Sequence, residues 1–259
     1  MNIFKQFWLS LYSPKDIAKF RFQGIGKTIL YVFLLVLIST LPSFIYTTTS
    51  VKDGVASFKD AIEHKIPAFE IKNGKLHTEA KEPIIHNNED FDIFFDGTGS
   101  LTAKDVETKT NNGLALLKSE FVIVANGTMQ AQSYSLFQGF TLTKDDVQSF
   151  MKQIDGLLII LIVIVGIFTY IMAAGLKFIE ITIIALVGKL LASAYNPKLQ
   201  YRHMWRITAY SVTISTVFFT IMGIFQTSVI GGMFVNWAVT LTMLYLVIKE
   251  IPLPKPKQK

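Results

Sequence analysis

Apolar residues in this chain gather into four long runs, and one long polar stretch interrupts them. The runs cover 28–46, 157–192, 207–226 and 229–248, and each is long enough to cross a hydrocarbon layer of about 30 Å as a helix. Between the first two lies 47–156, where charges and turn residues appear and the apolar pattern breaks into short pieces. Val55, Phe58 and Ile62 repeat at helical spacing within 54–64, and FEIKNGKLHT over 69–78 reads as a hairpin turned by Asn73-Gly74. Residues 91–95, 121–125 and 130–137 have strand character, with Asn126-Gly127 as a tight turn between the last two. Thr143 and Asp146 have the spacing of a capping box that opens a helix leading into the second run. The pattern predicts a membrane protein: a four-helix transmembrane α bundle with an extracytoplasmic α+β domain inserted between the first and second spans.

Ahead of the first run, Ile3, Phe4, Phe7, Trp8, Leu11 and Tyr12 share one helical face, and Ser13-Pro14 reads as the cap and first position of a second short helix. Residues 1–27 thus form an amphipathic, basic segment expected on the inner membrane surface, with Lys5, Trp8, Lys15, Lys19, Arg21 and Lys27 as contacts to the leaflet.

Composition strengthens the membrane reading, since 51% hydrophobic residues, 21 Phe and a mean hydropathy of +0.41 exceed what an ordinary soluble domain carries. Charge adds orientation. Residues 47–156 hold 11 Lys and 16 Asp/Glu, whereas the rest of the chain holds 14 Lys/Arg and 3 Asp/Glu. Basic ends stay inside and the acidic middle goes outside, so the overall charge of +6 speaks for an anionic inner leaflet and not for nucleic acid. The run 157–192 admits two readings. Two spans would give a five-span protein with its tail outside. One span with an amphipathic cytoplasmic extension keeps both the basic loop 193–206, with Lys198, Arg202 and Arg206, and the basic tail 249–259 inside; we prefer it, with Gly175 and Gly188 available for a bend. The first run is too long, and lacks the small-x-small site, for a removed signal peptide; an uncleaved anchor fits better. With no cysteine, the outer domain relies on packing alone.

Candidate chemistry is sparse. FDIFFDGTGSLTAKD, residues 91–105, nearly matches a phosphatase nucleophile loop, but Phe94 stands where the attacking carboxylate belongs. As a calcium loop it offers Asp96, Thr98, Ser100, Thr102 and Asp105 as ligands, again with Phe94 at the first position, so a strand-ending turn is the preferred reading. His64, His77 and His86 lack ligand spacing, although His86 is near Glu89, Asp90 and Asp92 in sequence. Asn126-Gly127-Thr128 matches a glycosylation sequon that matters only in a eukaryote. GIGKT at 24–28 resembles the end of a phosphate loop but has Arg21 in place of its first Gly. Among the apolar runs, Lys177 and Glu180 share a helical face and can pair, and Lys189 lies on the same extension; anchoring near the inner interface is preferred over a proton or substrate path. Gln226 and Asn236 are expected at helix contacts or the outer interface, and Gly231-Gly232 at a tight turn or close packing. Repeated broken helices of a secondary transporter and a Ser/His/Asp set are both missing from the pattern.

The stretches NIFKQFWLSLYSPKDIAKFRFQGIGKTILYVFLL, FEIKNGKLH, IFFDGTGS and ALVGKLLASAYNPKLQYRHMWRITAYSVT resemble the bacterial domain-of-unknown-function 1189 family over essentially the whole chain. Members are often labelled maltodextrin utilization proteins. The carboxyl half, a long apolar helix and basic loop followed by R-x-x-A-Y-S, is similar to the wider Yip-type membrane superfamily. The resemblance implies a helical bundle with a role in membrane organisation and offers no catalytic motif to carry over. The combined expectation is a multi-pass, non-catalytic accessory, sensor or scaffold of the bacterial plasma membrane. Both termini are expected to be cytoplasmic, and the outer domain is expected to bind a partner or envelope ligand. A subunit or regulator of a carbohydrate or lipid transporter is the alternative. Expected partners are membrane lipids and another membrane protein or a second copy; no cofactor is expected.

Overall fold

The short amino-terminal helices form where their caps predict. In the computed structural model, which describes residues 1–87, 91–137, 139–197 and 199–252, α1 (Ile3–Ser10) starts after Asn2, whose side chain accepts the Phe4 amide hydrogen. Helix α2 (Pro14–Lys19) has Ser13 as its cap and Pro14 in its first turn. A 3-10 turn, Phe20–Phe22, leads into α3 (Ile25–Asp60), which is helical through Pro42 and ends in a π-helical turn, Ala61–Lys65. The helix outlasts the apolar run because Phe58 and Ile62 continue an amphipathic stripe.

Next come β1 (Phe69–Lys72) and β2 (Lys75–Thr78), joined by Asn73 and Gly74 at positive φ as the hairpin pattern requires. They are followed by β3 (Ile84–His86), β4 (Asp92–Phe95), α4 (Ala103–Lys109), β5 (Gly113–Leu116), β6 (Glu120–Ala125) and β7 (Thr128–Ser133). Residues 130–137 are not all strand: Tyr134–Phe137 is a 3-10 turn. A short β8 (Leu142–Thr143) precedes α5 (Lys144–Tyr195), and the Thr143–Asp146 box is formed, with Asp146 Oδ2 accepting from the Thr143 amide at 2.9 Å. Helix α5 is 52 residues long and continuous through Gly175 and Gly188, so the reversal that a five-span chain needs inside 157–192 does not occur. Helix α6 (Tyr201–Ser211) and α7 (Thr213–Ile224) run on from each other, and α8 (Gly232–Lys249) follows. Arg202 and Arg206 therefore sit on a helix and not in a loop. Lys198 lies outside the described residues, as do 253–259 of the tail.

Among the described residues, four helices are long and apolar enough to cross a membrane: Ile25–Lys65, Gly156–Ser193, Tyr201–Ile224 and Gly232–Lys249. The chain divides into a helical unit, Met1–Ile45 with Ile164–Lys259, and a sheet unit, Tyr46–Val163.

In the sheet unit, strands in the order β2-β1-β8 form one sheet and β3-β4-β5-β6-β7 a second. The β4–β5 pair is parallel, with α4 as the crossover, while its neighbours are antiparallel. Strand β4 is buried on both faces. Ile93 and Phe95 join a core with Phe58, Ile62, Phe69 and Leu76, and Phe94 joins another with Val106, Ala115 and Val122. That is why DIFF reads as a continuous apolar run and not as an alternation.

In the helical unit the four long helices alternate in direction. Tyr170 of α5 donates to the Phe33 carbonyl of α3, while the later residue Phe44 lies against the earlier Gly166, so these two are antiparallel. Helix α8 runs parallel to α5, with Glu180 beside Asn236 and Gly188 beside Leu244. It runs antiparallel to α6 and α7, with Ser215 bonded to Thr240 and Phe219 beside Gly232. A Cβ on Gly188 would lie 2.5 Å from Leu244 Cδ2, so glycine allows this close approach. Helices α1 and α2 pack where α3 begins. There α1 turns Gln6 and Ser10 inward and leaves Phe4 and Trp8 exposed, as is Tyr12 just after it, so the apolar stripe is divided between the bundle and the outside.

Candidate functional site

Two charges three residues apart on a helix share a face, and in α5 that face meets two neighbours. Lys177 Nζ lies 2.7 Å from Glu180 Oε2, and the side chains are only 16% and 17% exposed. Lys177 also donates to Thr216 Oγ1 of α7 at 3.3 Å, and Asn236 Nδ2 of α8 donates to Glu180 Oε1 at 2.7 Å. Each carboxylate oxygen thus has its own donor, and one ion pair ties three helices together. A second polar contact, Ser215 with Thr240 at 2.9 Å, joins α7 to α8. An anchor that snorkels would turn its ammonium outward to water; Lys177 instead turns inward to partners. Lys189, on the same helix, is half-buried; its carbonyl accepts from the Ser193 hydroxyl, and its ammonium has no hydrogen bond or ion pair among the described residues.

Such a cluster holds a charge pair where an isolated charge would be costly. Sequence reading found the pair but not its partners. The signal available was the scatter of small polar residues, Thr213, Ser215, Thr216 and Thr240, within apolar runs, all of them buried. A related contact lies nearer the start of α3, where Tyr31 and Thr213 share a buried hydrogen bond of 2.5 Å.

The Asp96 loop has a structural task. Asp96 is buried, and its Oδ1 accepts from the Thr98 amide at 2.8 Å, the Thr98 hydroxyl at 2.6 Å and the Gly99 amide at 3.3 Å, while Oδ2 accepts from the Leu101 amide at 2.6 Å. Burial works to raise its pKa, but these hydrogen bonds outweigh burial and hold it below the ordinary carboxylate value. Gly97 is small because a Cβ there would meet Thr78 Cγ2 at 2.4 Å. Asp105 is occupied as well, pairing with Thr102 in the capping box of α4. Ser100 bonds to the Thr98 hydroxyl at 2.7 Å. The side chains suggested as calcium ligands are thus spent on the turn and the cap, and Phe94 is core.

Of the histidines, His64 Nδ1 lies 3.1 Å from Asp60 Oδ1 and His86 Nε2 lies 3.9 Å from Asp60 Oδ2. His86 therefore faces Asp60; its sequence neighbours Glu89 and Asp90 lie outside the described residues. Among the residues expected at the leaflet, Lys5, Lys15, Lys27 and Arg202 are exposed, Trp8 is 64% exposed, and Lys19 pairs with Asp16. Arg21 and Arg206 are half-buried, and Arg206 Nη1 donates to the Arg21 carbonyl.

The family described as "Protein of unknown function (DUF1189)" matches residues 4–248. The chain belongs to the DUF1189 family. The match includes both charges of the α5 pair and the whole sheet unit of this DUF1189 protein. Neither the curated proteins nor the solved structures yield a significant match.

Proposed function

We propose that this DUF1189 protein is a non-catalytic accessory, sensor or scaffold of the bacterial plasma membrane, whose sheet unit lies outside the cytoplasm and binds a partner or envelope ligand. The observation that carries the reading is that one helix serves two cores. Helix α3 supplies Tyr31, Val32 and Leu35 to the helical core and Phe58 to the sheet-unit core. Together with α5 it gives a bound ligand a continuous covalent route to the membrane bundle. The alternating helix directions and the acidic character of 47–156 support termini on the cytoplasmic side.

Orientation is testable because the chain lacks cysteine. A membrane-impermeant maleimide should label Lys104→Cys in intact cells and Lys15→Cys only after lysis; the reverse pattern sinks the topology. For the function, the tagged full-length protein is captured from its native membrane in mild detergent and its companions identified by mass spectrometry. A transporter, kinase or envelope synthase in stoichiometric amount supports an accessory role, and recovery of the protein alone counts against it.

A second reading, subunit or regulator of a carbohydrate or lipid transporter, is favoured by the Lys177–Glu180 pair contacting α7 and α8. The double change Lys177→Ala with Glu180→Ala separates the two. A sensor keeps its signal, whereas a coupled transporter loses flux.

A further inference from the structure

One end of the helical unit collects cations that no carboxylate answers. The first turns of α6 lie against the 3-10 turn Phe20–Phe22: Arg206 Nη1 donates to the Arg21 carbonyl at 3.0 Å, and the Phe22 and His203 rings meet at 6.1 Å between centroids. The Arg21 guanidinium stands 4.2 Å from the centre of the Phe22 ring. Arg202, in the first turn of α6, adds a third guanidinium to this corner and is exposed. None of the three arginines forms an ion pair among the described residues. Two of the acidic residues of this unit are engaged elsewhere: Asp16 with Lys19 and Ser13, Glu180 with Lys177 and Asn236.

Three further observations point to an anionic ligand. Arg206 Nε and Gln23 Nε2 are buried donors without an acceptor, and a buried donor left unpaired costs about 1–3 kcal/mol. His203 Nδ1 accepts the Gln200 amide hydrogen at 3.4 Å, which leaves Nε2 as a donor in the neutral ring. The first turn of α6 holds no acidic residue, so its positive half-dipole adds to the arginines instead of being offset. Guanidinium groups against a helix amino terminus oppose the dipole, and an anion seated between them removes the conflict. The planar donor forks of arginine match the oxygens of a phosphate group.

We propose that Arg21, Arg202 and Arg206, with Gln23 and His203, form a binding site for a phosphate group. The phosphate belongs either to an anionic lipid headgroup or to a free phosphate. Phe22 is 70% exposed beside the cations, and Ile25 is exposed as well, which offers apolar surface to an acyl chain next to the headgroup. The site goes beyond the sensing role and does not depend on it, since the residues all belong to the helical unit.

The test uses the full-length protein in a neutral detergent. In the lipid arm, intact-complex mass spectrometry follows retention of phosphatidylglycerol against phosphatidylcholine during delipidation. The expected result is one phosphatidylglycerol held per chain after phosphatidylcholine is lost. Retention should fall at least tenfold in Arg202→Gln with Arg206→Gln, and stay within twofold in Lys5→Gln with Lys15→Gln. In the second arm, inorganic phosphate replaces chloride at matched ionic strength. A rise in the thermal midpoint that Arg202→Gln abolishes, without lipid selection, assigns the site to free phosphate. If Arg206→Gln does not fold, Arg21→Gln with Arg202→Gln takes its place. Equal retention of both lipids with no phosphate effect overturns the site. So does an equal loss in the lysine control, because the attraction would then be diffuse.

Discussion

Truncating Glu180 to alanine should destabilise the helical unit by about 2–3 kcal/mol, and truncating Lys177 as well should recover part of that loss. Glu180→Ala removes the carboxylate 2.7 Å from the Lys177 ammonium and leaves Lys177 with only Thr216 at 3.3 Å. An unpaired charge costs about 2.5–3.5 kcal/mol at the centre of a membrane helix on insertion scales and less toward the interface, and the pair is about one-sixth exposed, which trims the figure further. Lys177→Ala is milder, about 1–2 kcal/mol, because Asn236 still donates to the remaining carboxylate. The double variant has no stranded charge and should lose only about 1 kcal/mol, giving a coupling of about 2–4 kcal/mol. The assay is denaturant unfolding of the full-length protein in micelles followed by tryptophan emission. It suits this unit because Trp8, Trp205 and Trp237 all lie in it. If the single losses add to within about 0.5 kcal/mol, the two side chains do not act as a pair and the argument fails.

Asp96 provides a pH test. Its folded pKa is held below the ordinary carboxylate value, so its contribution is complete above that value and disappears as pH falls through the lowered one. Asp96→Ala should speed hydrogen exchange of the Thr98, Gly99 and Leu101 amides at least tenfold at pH 7, and wild-type protection there should fade only in acid; unchanged exchange contradicts the turn. Phe94→Asp restores the carboxylate that a phosphatase loop needs, yet Phe94 is 2% exposed beside Val106 and Val122. It should lose at least about 3–5 kcal/mol and gain no hydrolysis, measured by protease sensitivity and a chromogenic phosphate ester; a stable variant with activity would refute the core assignment. Gly188→Ile places a branched side chain where Leu244 Cδ2 is 2.5 Å from the Cβ position. It should lower the thermal midpoint of the bundle, while Gly188→Ala costs less because the Leu244 tip can rotate; equal midpoints would contradict the packing of α5 on α8.

Much of this architecture is written in local chemistry. Run length and composition determine the four membrane-length helices, Asn73-Gly74 and Asn126-Gly127 adopt the positive φ of tight hairpins, and Ser13 and Thr143 cap the helices that follow them. Each of these depends on residues a few positions apart, which a single sequence displays directly. Tertiary structure decided the rest. The parallel pairing of β4 with β5 depends on a crossover through α4, and the inward-facing Gln6 of α1 meets Tyr210, about two hundred positions further on. Lys177 and Glu180 were visible as a pair from their spacing, but whether they face lipid or neighbours was settled by Thr216 and Asn236. An apolar helix has no solvent-facing side to betray its orientation in the sequence, so only packing against α7 and α8 could reveal which way those charges point.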